Sequence, residues 1–502
     1  MFRKVLPVLL AASSFAATPP SAQLAVPMER VVQLDLPLAI QFALAKNFSI
    51  ESERLNPQIA KQRERQAHGK FDPNFDVSFV RAEDTARSQF QRDATTNKGG
   101  NFSIGNIAQS GKWSAGVSGV TPLGTTYDVG AGSVGRSGTF NRFADNYTSD
   151  VSLSVGQPLL RGAGKTVQLA GIRIARNNVA ISEWTLRNSV MGTITSVIDV
   201  YNELNFAREN LAVAKRSRSL ADQLLQDNIK RVKIGVMKPL DVTTAQAEVA
   251  SREVAVISAD REVKDNENFL KQLISDDLLP LLGTRVRIAP PQPPAFTPDV
   301  LAGIGEALEL RPDYQQTKLG LENKHISLAF EKNQRLPRLD LTGSLHLLGF
   351  DDAFTSSVSR VAARDQTSWT AGAVFSIPIG NTEARAGYDA AKLEAAQSVI
   401  RLKQLEQFII VTVDNANGAV VTAHQRIAAT REAHRLANES LDAGQQRLLA
   451  GAGTVFEVLE LQKKLAEAET SELRARADYH KSIARFQEQT GTALRFHGVK
   501  IE

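Results

Sequence analysis

No proline interrupts residues 159–238, and none follows Pro378. Proline removes a backbone donor and clashes with the preceding turn, so stretches this long without it leave room for very long helices. Their apolar residues step by seven: Val190, Val197, Leu204, Leu211, then Leu225 and Val232 in one run, with Arg218 in the series. Val242, Val249, Val256, Val263 and Leu270 continue the step, and Val413, Val420, Ile427, Leu441, Leu448, Val458 and Leu465 repeat it later. Sustained heptads of small and β-branched residues predict coiled-coil packing. A helix over 165–230 would run roughly 100 Å at 1.5 Å per residue. Helices of that length make a rod.

Each rod is broken once, at a glycine. The first break reads GVMKPLDVTTAQ, Gly235 to Gln246; the second reads GAGTVFEVLELQ, Gly451 to Gln462, 216 positions later. Both predict a reversal between antiparallel helices, because glycine reaches the φ values a tight reversal needs. Other features recur too. Pro73, Phe75 and Val77 match Pro337, Leu339 and Leu341, and VGQPLL at 155–160 matches FSIPIG at 375–380. The chain therefore reads as an internal duplication. A first repeat spans 30–285, an extended Pro-rich linker spans 286–303, and a second repeat spans 304–495.

Between the helices lie segments of strict alternation, near 71–84, 147–159, 336–350 and 368–379. Phe75, Val77 and Phe79 alternate with Asn74, Asp76 and Ser78; Trp369, Ala371, Ala373 and Phe375 alternate with Ser368, Thr370 and Ser376. Such runs fit strands of a membrane barrel, and equally a half-buried sheet of a soluble domain. Four strands cannot close a barrel, and open sheet edges cannot stand in lipid. A membrane location would therefore require strands borrowed from copies of the same chain. An insert over 81–147 makes the first repeat about 44 residues longer than the second between matching prolines. Within it KWSAGVSGVTPLGTTYDVGAGSVG alternates like a hairpin with PLGT as its turn. It could extend the barrel outside the membrane, form a plug-like loop, or join the wall and raise the strand count.

The first residues, MFRKVLPVLLAASSFAAT, combine Arg3 and Lys4, a short apolar run and small residues around Ser14-Phe15-Ala16. This pattern is that of a signal peptide ending near residue 22. The chain has no cysteine, which excludes disulfides, thiolate metal sites and a lipidated Cys. Its net charge of +5 is spread along the sequence rather than gathered into a nucleic-acid patch.

No catalytic residue, cofactor site or metal site is expected. LLRGAGKT at 159–166 ends like a phosphate-binding loop, but Leu159 stands where that motif needs glycine. GAGSVG at 130–135 satisfies a dinucleotide pattern, yet no helix follows it. The seven histidines show no ligand spacing, and His424 and His434 are expected to be solvated among helical charges.

Together LDLPLAIQFALAKN, VGQPLLRGAG, FSIPIG, GAGTVFEVLELQKKLAEAE and RFQEQTGTAL resemble the TolC family of outer-membrane efflux and secretion channels, over nearly the whole mature chain. The fold class expected is mainly α with a membrane β-barrel. The resemblance implies a homotrimer with a 12-stranded barrel, four strands per protomer, set in outer-membrane lipid above a periplasmic α-helical barrel. It implies no catalysis, and docking to a periplasmic adaptor (membrane fusion) protein and an inner-membrane pump or ABC transporter. In the family the second hairpin lines the periplasmic entrance. Glu457 and Glu460, three apart and so on one helix face, would form a pore constriction of stacked carboxylate rings. Asp241, on the first hairpin, would face outward. Arg231, Gly235 and Val236, with Arg447, Gly451 and Ala452, are candidate adaptor contacts at the hairpin tips. A different reading is an exported coiled-coil scaffold or adhesin with a soluble β domain.

Overall fold

The computed structural model describes residues 31–88, 104–139, 142–290 and 296–500; the expected signal peptide lies outside them. Most of the chain is helix. Four long helices dominate: α4 (Ala170–Lys233), α5 (Pro239–Ile274), α9 (Thr382–Leu449) and α10 (Val455–Gln489). They form two antiparallel hairpins, α4–α5 and α9–α10, packed side by side. The helix expected from about residue 165 is divided: α3 (Lys165–Gln168) stops at Leu169 before α4 begins.

The heptad positions face inward as expected. Val190, Val197, Leu204 and Leu225 are buried on α4, and Val413, Val420, Leu441 and Leu448 on α9. Burying such a side chain contributes roughly 1.5–3 kcal/mol, so the seams hold the rod together. On the tip half of α5 the seam is rotated: Val242, Val249 and Val256 are only half buried and the buried line runs Ala245, Arg252, Ala259, whereas Val263 and Leu270 farther along are buried as expected.

At mid-height the hairpins meet α1 (Leu36–Lys46), α2 (Phe48–His68), α6 (Val300–Leu310), α7 (Pro312–Gln334) and the short α11 (Ala493–Phe496). Here β1 (Val31–Leu34) pairs in parallel with β6 (Arg285–Ile288). Tyr201 Oη donates to the Ala289 carbonyl at 2.7 Å, tying that pair to α4. The segment expected as an extended linker, 286–303, thus starts inside a strand and ends in the first turn of α6; residues 291–295 lie outside the described residues. Acid–base contacts fasten α4 to α10. Glu203 accepts from Arg474 Nη1 at 2.8 Å and from Lys481 Nζ at 2.9 Å.

The remaining strands form one antiparallel sheet: β2 (Asn74–Ser88), β3 (Ile104–Val120), β4 (Thr126–Gly138), β5 (Asn146–Pro158), β7 (Arg338–Asp351) and β8 (Gln366–Ser376), adjacent in that order. The fold class is the one expected, but the strand count differs. The four expected strands are present as β2, β5, β7 and β8, and the insert adds β3 and β4 between the first two. The physical reason is hydrogen bonding: a hairpin left beside the wall would orphan its outer N–H and C=O groups, whereas between β2 and β5 both of its edges are paired. PLGT does turn the hairpin, with Thr121 and Thr125 bonded across it at 2.8 Å. The insert's first residues, to Ser88, continue β2, and 89–103 lie outside the described residues.

Register puts most apolar side chains of the six strands on one face, with Val80, Val134, Leu348, Phe350 and Val374 among the exceptions on the other. Phe75, Val77 and Phe79 stand level with Val117, Ala115 and Trp113, and those with Val129, Ala131 and Ser133. Leu153 and Val151 continue the rows through Leu345 and Leu347 to Trp369 and Thr367. The other face carries Asp76, Ser78, Lys112, Ser114, Asp128, Ser152, His346 and Thr370. Helix α8 (Phe354–Ala363), which joins β7 to β8, lies on the apolar face at the end remote from the long helices. Ser357 Oγ there is 2.8 Å from Ser149 Oγ, and Phe354 meets Trp113 and Tyr147 edge-on.

Candidate functional site

The two hairpin tips have the same backbone. In the first, the Gly235 N–H donates to the Val232 carbonyl at 3.0 Å and the Val236 N–H to the Arg231 carbonyl at 2.9 Å. In the second, Gly451 donates to Leu448 at 3.2 Å and Ala452 to Arg447 at 2.9 Å. Each is a Schellman C-cap with glycine at the left-handed position, φ +76° and +72°. The six tip candidates therefore include the four residues whose long bond closes each turn. Their backbones make the reversal, and the side chains of Val236 and Ala452 are exposed beyond it.

The helices after the turns begin differently. At α5 the Asp241 carboxylate accepts from the Lys238 N–H at 3.2 Å. At α10 the Thr454 hydroxyl accepts from the Glu457 N–H at 3.1 Å. An acidic first turn also suits the positive end of the helix dipole. Glu457 has a second role: its Oε1 accepts from Arg447 Nη1 at 2.8 Å, and Arg447 Nη2 reaches the Ala452 carbonyl at 3.3 Å. Within one chain, then, Glu457 is paired across its own tip. Glu460, one turn on and half buried, makes no ion pair with any described residue. The tips also expose large apolar side chains, Ile234, Val236 and Leu240 on the first and Leu449 and Phe456 on the second. Lys230, Arg231, Lys233 and Lys238 surround the first group.

One residue that joins the tips lies outside the sequence-based candidates. Arg252 of α5 is buried between the hairpins. Its Nη1 donates to the Ser217 carbonyl at 2.9 Å, to Ser217 Oγ at 3.2 Å and to Gln462 Oε1 at 3.1 Å. Nη2 donates to the Leu459 carbonyl at 3.2 Å, and Nε to Glu248 at 2.9 Å. A single guanidinium thus ties α4 and α5 to the first turns of α10, beside Glu457 and Glu460. The signal was its spacing: Arg252 is seven residues from Ala245 and seven from Ala259.

His434 is half-exposed and is paired rather than free among helical charges. Its Nδ1 lies 2.8 Å from Glu472 Oε2 on α10, a carboxylate also held by Arg476. Burial opposes ionisation of Glu472, but the His434 hydrogen bond and the Arg476 charge outweigh it and hold its pKa below the ordinary glutamate value. The LLRGAGKT segment is a strand-to-helix junction whose donors are occupied: Gly162 N–H binds Asn333 Oδ1 at 2.7 Å and Gly164 N–H binds the Leu123 carbonyl at 3.1 Å. GAGSVG lies within β4. Among the described residues no three His, Asp or Glu side chains are placed to hold a metal ion, and no helix is long and apolar enough to cross a membrane.

This geometry, of long helical hairpins ending in a sheet with one apolar face, has solved counterparts. The CmeC outer membrane channel of Campylobacter jejuni superimposes with a TM-score of 0.67, covering 91% of this chain and 86% of that one at 16% identity. In sequence, nodulation protein T of Rhizobium leguminosarum bv. trifolii is 22% identical over 58% of this chain and 61% of its own length. Outer membrane efflux protein BepC of Brucella suis biovar 1 is 22% identical over 60% and 65%. The chain thus spans under two thirds of the length of these curated relatives. Residues 122–275 and 303–492, from the inserted hairpin's turn to the end of α10, match the family described as outer membrane efflux protein. The chain belongs to the outer membrane efflux protein family.

Proposed function

We propose that three copies of this chain form the passive exit duct of a tripartite efflux pump or type I secretion system. The barrel would sit in the outer membrane and the helical hairpins would reach through the periplasm. The carrying observation is the sheet. Its apolar face runs across all six strands, and among the described residues its outer strands β2 and β8 each have an unpaired edge. In lipid those edges must be paired. All neighbours run antiparallel, so β2 and β8 also run antiparallel to each other, and one copy's β8 can join the next copy's β2 without breaking the alternation.

The helices supply the rest. At 64 and 68 residues, α4 and α9 each extend about 100 Å. Packed around an axis, three pairs of hairpins make a tube that continues the barrel. At its far end, Glu457 and Glu460 of three copies form two stacked carboxylate rings, a constriction that favours cations. Arg447 offsets much of the charge of the first ring, which leaves Glu460 as the stronger one. The exposed apolar side chains of the tips, with Arg231, Gly235, Val236, Gly451 and Ala452 beside them, form the docking surface for a periplasmic adaptor, which connects the duct to an energised inner-membrane pump. The chain itself performs no chemistry. Cell fractionation tests the reading: the protein is expected in the outer-membrane fraction, extracted only by detergent. Recovery in the soluble periplasm would instead favour the scaffold reading.

A further inference from the structure

The inserted hairpin, β3 and β4, occupies the middle of the sheet, where the family resemblance implies only four strands per chain. From its register and packing we infer that the membrane wall of the assembled protein has eighteen strands, six from each of three copies, in place of twelve. The inference rests on the channel reading above and adds to it the composition of the barrel.

Three observations carry it. First, pairing is continuous. β3 is bonded to β2 from Ser118 to Ile104 and to β4 from Val120 to Ala108; β4 is bonded to β5 from Thr126 to Arg136. Removing the hairpin would leave β2 and β5 to find each other across the gap. Second, the alternation does not slip. Val117 and Val129 are 37% and 47% exposed on the same face as Val151 and Leu153, at 40% and 41%. Ser114, Gly116, Gly130 and Gly132 fall on the polar face. A plug lying in the bore would have no reason to keep an apolar side in phase with the wall. Third, the hairpin is fitted to both neighbours. Tyr127 of β4 covers Gly119 of β3, and Tyr147 of β5 covers Gly135 of β4; a methyl group at either glycine would collide with the ring. Aromatic side chains over glycines pin register in wall strands. At the helical end Leu123 of the turn accepts from Gly164, and at the far end Phe354 of α8 packs on Trp113 of β3.

The consequence is a wider exit. Barrel diameter grows roughly linearly with strand number, so eighteen strands open the wall about 1.5-fold relative to twelve, into the range where barrels enclose an aqueous channel. The even number added also preserves the opposed directions of β2 and β8 that joining copies requires.

Tryptophan quenching in proteoliposomes containing phosphatidylcholine with brominated acyl chains tests this on the full-length chain. One reporter keeps Trp369 alone, with Trp113→Phe and Trp184→Phe; the other adds Trp369→Phe and places its probe on the hairpin by Val129→Trp. We expect the Val129→Trp probe to be quenched to the same extent as Trp369. Quenching of Trp369 with none at Val129→Trp overturns the eighteen-stranded wall and leaves the channel reading intact. No quenching of Trp369 overturns both. Should Val129→Trp fail to fold, Val117→Trp on β3 replaces it. A reconstruction of the unmodified assembly gives an independent strand count, in which eighteen supports the inference and twelve ends it.

Discussion

Replacing Arg252 by methionine keeps the aliphatic stem and removes five hydrogen bonds from a side chain only 7% exposed. The carbonyls of Ser217 and Leu459 lie inside helices and keep helical partners, so their loss is partial. Gln462 Oε1 is the acceptor left stranded, on a residue 3% exposed. One buried unsatisfied group costs about 1–3 kcal/mol and each lost bond to a charged donor about 1.5–3 kcal/mol, with the Glu248 bond discounted because that carboxylate is partly solvated. A net local cost of about 2–4 kcal/mol follows once the apolar replacement is allowed its favourable burial. The loss falls on the first two turns of α10, so amide hydrogen exchange at Leu459–Lys463 of the purified assembly should quicken by about 30- to 700-fold, at tenfold per 1.4 kcal/mol. Adding Gln462→Leu should recover much of the protection, because two apolar partners leave no orphan. Unchanged exchange in Arg252→Met, or a double variant no better protected than the single one, would refute the reasoning.

Three other perturbations follow from the same geometry. The depressed pKa of Glu472 means that the unfolded chain binds its proton more readily; the stabilisation is complete above the ordinary glutamate range and is lost as pH falls through it. Glu472→Gln should therefore flatten the fall in melting temperature between about pH 5 and pH 3, and a parallel pair of pH curves would contradict the assignment. Gly451→Ala forces a side chain onto a backbone with φ +72° and should destabilise the second tip by about 1–2 kcal/mol, read as faster proteolysis there. Equal protease resistance would count against the cap. In planar bilayers Glu460→Ala should lower cation selectivity, whereas removing the Arg447–Glu457 pair together (Arg447→Ala with Glu457→Ala) should change it little, because the pair is neutral overall; Glu457→Ala with Glu460→Ala should raise conductance through the closed state, and identical currents in all variants would remove both residues from the pore.

The rods, the seams on α4 and α9, both glycine tips and four of the six strands of the large sheet were legible in the sequence, because heptads, turn glycines and strict alternation are local signals. The hairpin β3–β4 was legible as a hairpin, with a place inside the sheet only one of three open readings. Its positions on the apolar face include Ala115, Ala131, Gly119 and Gly135, too small to give a strong alternation, and its place is set by pairing with β5. Arg252 was obscured for a different reason: the valine step suggested a seam that the structure rotates onto Ala245 and Ala259, and an arginine on a buried line is favourable only once Gln462, more than two hundred residues away, arrives to accept from it. The same distance hid His434 with Glu472, and β1 with β6. At Glu457 the sequence supplied the carboxylate and its helix face, while the Arg447 pair became visible only when the tip was closed.

The account depends most on the chain acting in threes. Native mass spectrometry of protein released from outer membranes by mild detergent addresses this directly. A single species at three times the mass of the mature chain, carrying bound lipid, is the predicted result. A folded, lipid-free particle at the mass of one chain would contradict it.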